Sequence, residues 1–305
     1  MKVLITGSTG FLGKHIIDEF KSIEFKIDTI GRQKKSTIIS DLSKSVPLVL
    51  EKYNMVVHVA GKAHVVPKTK QEEQEFYNVN LKGTQNLINA LKNKPDYFVF
   101  ISTVSVYGLD FGNDIAESTP LKSSEPYGRS KIMAEEVINK WGIANNVKIT
   151  ILRLPLIFGK NPPGNLKSMI NAILKKYYFN IGKGDVRKSM VFAKDVAAFI
   201  PKIANKGGVF NLTDGHNPSF RELSNIISTH YKINPPFSVN YYIVLLAANL
   251  GELVQKVFKL KMPINKRQFL KMTKALTFND NKARALGWNP KKIIDNPNEW
   301  LTHDF

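Results

Sequence analysis

The sequence lacks cysteine altogether and is short of acidic residues. None of its 305 residues is a cysteine, which excludes disulfides, thiolate metal sites and thiol nucleophiles. Lys and Arg together number 44 against 25 Asp and Glu, so the formal net charge is +19. This excess favours anionic ligands such as phosphorylated substrates, nucleic acid or acidic lipid. It is also typical of a lysine-rich, solvated surface that has no part in function.

Long hydrophobic runs are missing as well. The longest apolar stretch, residues 241–250, is far shorter than the ~20 residues that a membrane span needs. The first residues indicate a strand rather than a signal peptide, so we expect a cytoplasmic protein with no integral membrane segment. Residues 241–261 are apolar and then basic. They predict either a helix with one buried face, packed in a small lobe or a subunit contact, or a helix resting on a membrane surface.

Strand and helix patterns alternate through the first half of the chain. The patterns predict strands at 2–6, 25–30, 37–40, 55–60, 97–102 and 147–154, and helices at 11–21, 72–91 and 126–141. Such alternation predicts an α/β fold with a doubly wound parallel sheet of Rossmann type. After Pro155 the pattern loosens, with helices near 166–178, 194–204 and 219–231 and short strands near 189–192 and 208–212. We therefore expect a first domain at 1–155, its sheet completed by later segments. Residues 156–305 are expected to form mainly a smaller, interleaved α/β substrate-binding lobe.

Three glycines stand where the first predicted strand meets the first predicted helix. Gly7 permits a tight turn, Gly10 lets the backbone approach a pyrophosphate, and Gly13 lets the helix pack closely on the strand. The free N–H groups and partial positive charge of the helix N-terminus attract phosphates. In this strand–helix context the turn predicts dinucleotide binding, which makes 1–155 an NAD(P)-binding domain.

A tyrosine and a lysine stand four residues apart in the segment YGRSK. Tyr127 and Lys131 therefore lie on the same face of the predicted helix at 126–141. An ammonium beside a phenol lowers the pKa of the phenol, so we expect Tyr127 to exchange a proton near neutral pH.

These motifs resemble the extended short-chain dehydrogenase/reductases, the NAD-dependent epimerase/dehydratase family of nucleotide-sugar enzymes. The resemblance rests on Gly-x-x-Gly-x-x-Gly after Thr6, on Tyr-x-x-x-Lys, and on ISTVSVYG at 101–108. Further similar segments extend it over nearly the whole chain: VVHVAG (56–61), NVNLKGTQNL (78–87), LRLPLIFGK (152–160), SMVFAKDVAAFI (189–200) and GVFNLTDG (208–215).

The resemblance implies three catalytic residues. Thr103 would hydrogen-bond the substrate oxygen, with Ser102 as the alternative, and Tyr127 would donate the proton to that oxygen. Lys131 would hold the cofactor ribose and tune Tyr127. The residues that would bind the cofactor are Gly7, Thr9, Gly10, Phe11, Leu12, Gly13, Arg32, Asp41, Leu42, Ala60, Gly61, Lys131 and Pro155.

The second predicted strand ends without the acidic residue that would bind a ribose hydroxyl and repel a 2′-phosphate. Arg32, Lys34 and Lys35 follow instead, which favours NADP(H) over NAD(H), although a basic loop facing solvent would look the same. Asp41 resembles the residue that contacts the adenine amino group in the family; it could equally cap the next helix.

Departures from the family pattern bear on the reaction. Val104 and Ser105 replace the acid/base pair of the nucleotide-sugar 4,6-dehydratases, which argues against dehydration. Leu156 stands after Pro155 where many epimerases carry Asn. Together with the NADP(H) preference, this predicts reduction of a 4-keto-6-deoxy nucleotide sugar in surface polysaccharide synthesis. A 4-epimerase with tightly bound NAD and a non-catalytic NADP sensor are the alternatives; the presence of Tyr127 and Lys131 argues against the sensor.

The predicted partners are a nucleotide sugar, UDP-linked by our expectation, and a second copy of the chain. Asn165 resembles the residue that contacts the substrate diphosphate in the family, and Arg187 or Lys188 would contribute a cation. His64 would face the pocket, although a lone histidine is more often a packed or surface residue. The helices at 72–91 and 126–141 resemble those that pair in the family's dimers. We expect no metal, and no nucleic-acid partner because no recognition motif is present.

Overall fold

The computed structural model describes residues 1–63, 65–162, 164–258 and 266–301, with the side chains of 252–258 and 266–268 left undescribed. His64 therefore lies outside the described residues. The strands are β1 Lys2–Thr6, β2 Lys26–Gly31, β3 Ile38–Ile39, β4 Met55–His58, β5 Tyr97–Thr103, β6 Gly112–Ile115, β7 Lys148–Leu154, β8 Leu156–Phe158, β9 Asn180–Ile181, β10 Met190–Phe192, β11 Gly208–Asn211, β12 Ser238–Val239 and β13 Leu276–Phe278. The α-helices are α1 Phe11–Ser22, α2 Lys70–Phe76, α3 Gly83–Ala90, α4 Pro126–Asn145, α5 Asn165–Leu174, α6 Ala193–Ile203, α7 Phe220–His230, α8 Tyr241–Phe258, α9 Lys266–Thr273 and α10 Asn281–Arg284.

A parallel sheet forms the centre of the molecule. Across the described part of the chain it has seven strands, in the order β3-β2-β1-β4-β5-β7-β11. Its central strands are almost wholly apolar and buried, as the run YFVFIST of β5 illustrates, because helices cover both faces. On one face α1 and α6 pack around a core that includes Ile16 and Ile200. On the other, α3 and α4 pack around Leu87 and Ile138. The α/β fold with a doubly wound parallel sheet is confirmed.

Local sequence explains where α4 begins and ends. Pro126 occupies its first turn, where the missing N–H costs nothing. Asn146 follows its last residue with a left-handed φ of 53°, a conformation that ends helices. The helix is 20 residues long and carries both Tyr127 and Lys131 on its first turns.

Two features of the order of elements differ from the sequence prediction. The expected single helix at 72–91 is divided into α2, a π-helical turn at Tyr77–Lys82, and α3. Three separate parallel pairs form beside the central sheet, β8 with β10, β9 with β12, and β6 with β13, and of these strands the sequence predicted only β10. In the last pair, β6 of the first half joins β13 of the second half. As expected, that half also completes the sheet, through β11.

A core separate from that of the sheet lies among β8, β10, α5 and α7. Phe158 and Trp300 meet there edge to face at 4.9 Å, with Ile170 of α5 and Ile227 of α7 packed beside them. Among the described helices, none is long and apolar enough to cross a membrane.

Candidate active site

The chain reverses its direction of winding between β1 and β4. From β1 it runs outward through β2 to β3, and from β4 it runs the other way to β5, β7 and β11. In such sheets ligands bind beyond the carboxyl ends of the strands at this point. Gly7 follows β1, Gly61 follows β4 by a short loop, and Thr103 ends β5. The topology therefore brings three predicted site segments to one edge.

The glycine turn is built for close approach. Gly7 has a φ of +71°, and a Cβ atom there would lie 2.6 Å from the backbone nitrogen of Ala60. A Cβ at Gly13 would overlap the carbonyl of Gly7, so the third glycine lets α1 sit directly on the turn. Among the described side chains none caps the start of α1, and its first turn holds no acid. These free N–H groups and the narrow turn fit the pyrophosphate of a dinucleotide.

The other residues at this end have mixed surroundings. Thr9 is half-buried, and Phe11 meets His15 edge to face at 5.4 Å. Leu12 is buried in the core of the sheet, so only its backbone is available to a ligand. Pro155 is half-buried and joins β7 to β8.

A buried histidine ties the glycine turn to the loop after β4. His58 Nδ1 lies 2.6 Å from Thr6 Oγ1, and Nε2 lies 2.9 Å from Thr84 Oγ1. The Thr84 hydroxyl donates to the carbonyl of Asn80, so Nε2 is the donor and Nδ1 the acceptor. Burial lowers the pKa of His58 to about 3, which keeps the ring neutral. Thr6 Oγ1 also accepts from the N–H of Ala60, so one chain of bonds holds both loops.

The structure brings Thr103 and Tyr127 together. The Thr103 side chain lies close enough to the Tyr127 hydroxyl to affect its pKa. Thr103 Oγ1 donates to Ser105 Oγ at 3.2 Å and accepts from the N–H of Ser105 at 3.1 Å. The prediction that the pKa of Tyr127 is lowered is wrong for this structure. Burial raises that pKa, and the nearby Thr103 side chain opposes the rise in part.

Lys131 explains that difference, because its ammonium is directed elsewhere. Its Nζ donates to the carbonyl of Ile101 at 2.9 Å and lies 4.5 Å from the ring centre of Phe100. Burial lowers the pKa of Lys131 to about 8, and the carboxylate of Glu135 opposes that fall. A Cβ at Gly61 would lie 3.2 Å from Nζ, so the lysine borders the loop that is expected to hold the cofactor.

Behind Lys131 lies an ion pair that the sequence analysis missed. The Arg153 guanidinium donates to both oxygens of Glu135, at 3.2 and 2.7 Å, and both side chains are buried. Ser102 donates to Glu135 at 2.5 Å. The Ser102 hydroxyl is thus engaged by a buried carboxylate and the Thr103 hydroxyl by Ser105, so the choice of Thr103 over Ser102 as the substrate-facing group stays a prediction. Arg153 also donates to Tyr107, whose hydroxyl donates to Asn211 on β11.

Asn80 is a second missed residue. It lies on the π-helical turn, buried, and its amide donates to Ser130 of α4 at 2.9 Å and to the carbonyl of Lys62. Its carbonyl oxygen accepts from the N–H of Lys62 at 2.8 Å. Such turns insert one residue into a helix and are frequent at functional sites. Here the inserted turn joins the loop after β4 to the helix that carries Tyr127.

The end of β2 is exposed and basic. Arg32 is exposed, and its charge lowers the pKa of Asp41, although the hydrogen bond from Ser43 lowers it more. Asp41 Oδ1 accepts from both the hydroxyl and the N–H of Ser43, so Asp41 caps a turn. The alternative that it caps the next helix is wrong, because the next described helix is α2 at Lys70–Phe76. The Leu42 carbonyl accepts from Asn86 at 2.7 Å and so anchors this loop to α3.

The expected substrate residues of the second half are dispersed. Asn165 is exposed at the start of α5. Arg187 donates to the carbonyl of Asn217 at 3.1 Å and pairs with Glu222 at 3.4 Å. Lys188 donates to the carbonyl of Lys274 at 2.9 Å, and burial lowers its pKa to about 8. These bonds stay within the smaller lobe, and binding of the substrate diphosphate by these residues remains a prediction.

A cavity of about 440 Å³ lies next to Asn217, the residue to which Arg187 donates. It is lined by polar groups that include Asp114, Asp214, Asp280 and Asn279. Asp280 pairs with Arg284, and Asp114 accepts from Asn279, so its carboxylates are already bound. None of the predicted site residues lines it.

Comparison with known proteins decides the family. The model of the NAD dependent epimerase/dehydratase family matches residues 3–213. The chain belongs to this family. It contains the glycine turn and the Tyr127–Lys131 pair within the matched region, and the prediction of an enzyme of this family is confirmed.

Individual family members are similar over most of their length. An N-acetyl-alpha-D-glucosaminyl-diphospho-ditrans,octacis-undecaprenol 4-epimerase of Escherichia coli O157:H7 is 26% identical, over 99% of this chain and 95% of that protein. A GDP-6-deoxy-D-mannose reductase of Pseudomonas aeruginosa is 25% identical, over 74% and 79%. The solved UDP-Glc/GlcNAc 4-epimerase of Campylobacter jejuni superimposes with a TM-score of 0.71 at 21% identity, covering 95% and 94% of the chains. The last likeness shows the shared fold.

Proposed function

We propose that this family member reduces the C4 keto group of a nucleotide-linked 6-deoxyhexose with NADPH. The observation that carries the proposal is the proximity of Thr103 to Tyr127 at the carboxyl end of β5, with Lys131 behind them against the loop of Gly61. These groups lie at the edge of the sheet where the glycine turn would seat a dinucleotide.

The surroundings of Tyr127 suit the reductive direction. Burial raises its pKa, so the phenol carries its proton at neutral pH. A protonated phenol can donate to a carbonyl oxygen as that oxygen gains negative charge. Thr103 would hydrogen-bond the same oxygen and hold it beside Tyr127. A nicotinamide dinucleotide bound at the turn would supply the hydride.

The preference for NADPH rests on the end of β2. Arg32, Lys34 and Lys35 are all exposed there, and no acidic side chain follows the strand. The Ser36 hydroxyl lies beneath Gly31, where a Cβ would come within 2.6 Å of it. Three cations and a hydroxyl offer charge and donors to a 2′-phosphate.

The diphosphate of the substrate would be held from the smaller lobe. Lys188 is the stronger candidate of the two cations, because Arg187 is already paired with Glu222. Asn165 lies at the start of α5, where free N–H groups favour an anion. A UDP carrier and a homodimer formed through α2, α3 and α4 are parts of the same proposal.

A second candidate is epimerisation at C4 with retained NAD. It is favoured by the E. coli 4-epimerase, which matches 99% of the chain. The two reactions share Tyr127 and differ in whether the hydride returns to the sugar. Net oxidation of cofactor therefore separates them.

The test is incubation with NADPH or NADH and a panel of intact and 4-keto nucleotide sugars. We expect NADPH oxidation with a 4-keto sugar and a product two mass units heavier than it, as hydride plus proton requires. Interconversion of intact sugars without cofactor consumption would show the epimerase instead. Cofactor binding with neither outcome would indicate a sensor.

The cofactor preference has its own test. Replacing Arg32 and Lys34 together by Ala should raise the KM for NADPH at least about tenfold and leave that for NADH within about twofold. The matched control removes the exposed Lys21 and Lys26, which lie at the other end of α1 and β2. Equal effects on both cofactors would contradict a 2′-phosphate site.

A further inference from the structure

The outward face of α8 is apolar and exposed. Tyr242, Ile243, Leu246 and Leu250 are 75%, 62%, 61% and 55% exposed. At 100° per residue these four positions lie within about a third of the helix circumference. They form one continuous stripe, which we call the α8 stripe.

The opposite face of the same helix is packed. Val244 and Ala248 are 3% and 0% exposed and contact Phe269 of α9 and Phe179 beside β9. The helix is therefore packed against the rest of the molecule through its inner face, and the α8 stripe makes no part of that packing. The sequence interpretation of α8 as a helix with a buried stripe accounts for one face only.

The surface around the stripe lacks charge over an unusual length. The 19 residues 233–251 contain no Asp, Glu, Lys or Arg, whereas about a quarter to a third of an ordinary soluble surface is charged. Phe237, four residues before α8, is 63% exposed and stacks on Phe179 at 6.1 Å. An exposed apolar surface of this kind marks an interaction site.

Cations border the stripe on one side and follow it in the sequence on the other. On the N-terminal side, the exposed Arg221 donates to the Ser238 hydroxyl of β12 at 3.0 Å and to the carbonyl of the exposed Lys183. On the C-terminal side, the sequence of 252–274 holds seven Lys or Arg and one acid. An apolar face between cations matches the interface of a bilayer that carries anionic headgroups.

We propose that the α8 stripe docks this protein on an anionic phospholipid surface. Its apolar side chains would enter the headgroup region while the flanking cations contact the headgroups. A second copy of the chain is the weaker match, because pairing through this face would set the same flanking cation, Arg221, of two copies close together. The proposal goes beyond the proposed reaction and does not depend on it.

The test is flotation of the full chain with vesicles of phosphatidylcholine containing about 30 mol% phosphatidylglycerol, or none. We expect binding to the anionic vesicles, at least about tenfold weaker binding to the neutral ones, and loss at about 0.5 M NaCl. Binding is measured without substrate or turnover, so failure of the reaction assignment would leave this result unaffected.

A matched pair of double variants locates the surface. Ile243→Asn with Leu246→Asn should weaken vesicle binding at least about tenfold. Leu48→Asn with Leu50→Asn removes two leucines that are 74% and 73% exposed elsewhere, and should change binding less than about twofold. Thermal unfolding and NADPH binding of both variants should match the parent.

Three outcomes would overturn the proposal. The parent protein could fail to float with anionic vesicles. Both double variants could lose binding equally, which would show a non-specific effect. The parent could be an oligomer that Ile243→Asn with Leu246→Asn alone dissociates, which would show that a second copy covers the stripe.

Discussion

At neutral pH the phenol of Tyr127 keeps its proton, because burial raises its pKa. Its partner Thr103 is buried at the end of β5, and Lys131 turns its ammonium to the carbonyl of Ile101. The three side chains therefore have different proposed roles. Tyr127 would donate the proton, Thr103 would orient the substrate oxygen, and Lys131 borders the loop expected to hold the cofactor.

Removal of the phenol tests the first of these roles. Tyr127→Phe should lower kcat by about 10²–10⁴-fold, the usual worth of a positioned acid, and leave the Kd for NADPH within about twofold. Tyr97→Phe is the control, since Tyr97 begins β5 at the opposite edge of the sheet. A variant that kept most of its rate would show that another group donates the proton.

Glu135 is a positioning residue, and its removal should shift the alkaline decline in the pH profile of kcat/KM. Its carboxylate supports the Lys131 cation, whose pKa is about 8. In Glu135→Gln the pKa of Lys131 falls further, so the alkaline decline of kcat/KM should begin at lower pH. The variant should also lose about 3–5 kcal/mol of stability, because Arg153 stays buried beside a neutral partner.

The neighbouring Glu136→Gln is the matched control, because Glu136 is exposed on the same helix. Its pH profile and unfolding midpoint in urea should equal those of the parent. If Glu135→Gln lowered stability without moving the alkaline limb, its role would be structural alone.

Motif spacing predicted pairs of residues that are close in sequence, and it missed a pair that is brought into contact only by the packing of two elements. Tyr127 and Lys131 lie four apart on one helix, so the sequence displays their relation directly. Glu135 and Arg153 belong to α4 and β7 and meet only because those elements pack together. The spacing of residues in the sequence does not predict such an ion pair.

At the scale of elements, the junction of β1 with α1 depends on a missing side chain. A Cβ at Gly13 would overlap the Gly7 carbonyl, so Gly13→Ala must move α1 away from the turn. We expect at least about tenfold weaker NADPH binding and about 1–3 kcal/mol lower stability. Binding calorimetry and urea unfolding measure the two effects.

Gly83→Ala provides the contrast. Gly83 begins α3 with ordinary helical φ, and a Cβ there would meet Leu42 at 3.6 Å, a normal contact. This variant should gain about 0.5–1 kcal/mol, as Ala does in helices, and bind NADPH unchanged. Weaker binding in both variants would contradict the turn as the specific cause.

The π-helical turn is a feature that the apolar periodicity of the sequence does not predict. The apolar spacing of residues 72–91 fits one helix, and the sequence prediction followed it. The structure inserts a residue so that Asn80 turns inward to Ser130 and Lys62. That insertion is stabilised by partners distant in sequence, so it is invisible to a local pattern.

At the scale of the whole molecule, His58 links the stability of the fold to pH. Its pKa is about 3 in the fold, below the ordinary value of 6.5. Between these values the unfolded chain binds a proton that the folded chain does not, so stability falls as pH falls through this window. The slope for one such group is about 1.4 kcal/mol per pH unit.

Urea unfolding of the parent and His58→Gln at several pH values between about 4 and 8 measures this contribution. The parent should lose stability toward acid more steeply than the variant, and the two slopes should converge above pH ~7, where the histidine is neutral in both states. Parallel slopes throughout would show that His58 titrates alike in the folded and unfolded chain.

The sequence by itself determined the strand–helix alternation, the glycine turn and the Tyr–Lys pair, because each is encoded in neighbouring residues. Tertiary structure alone decided the rest. It directed the ammonium of Lys131 to Ile101, raised the pKa of Tyr127, paired Glu135 with Arg153, and left one face of α8 exposed. Burial and long-range contact set these properties, and neither exists until the elements have packed.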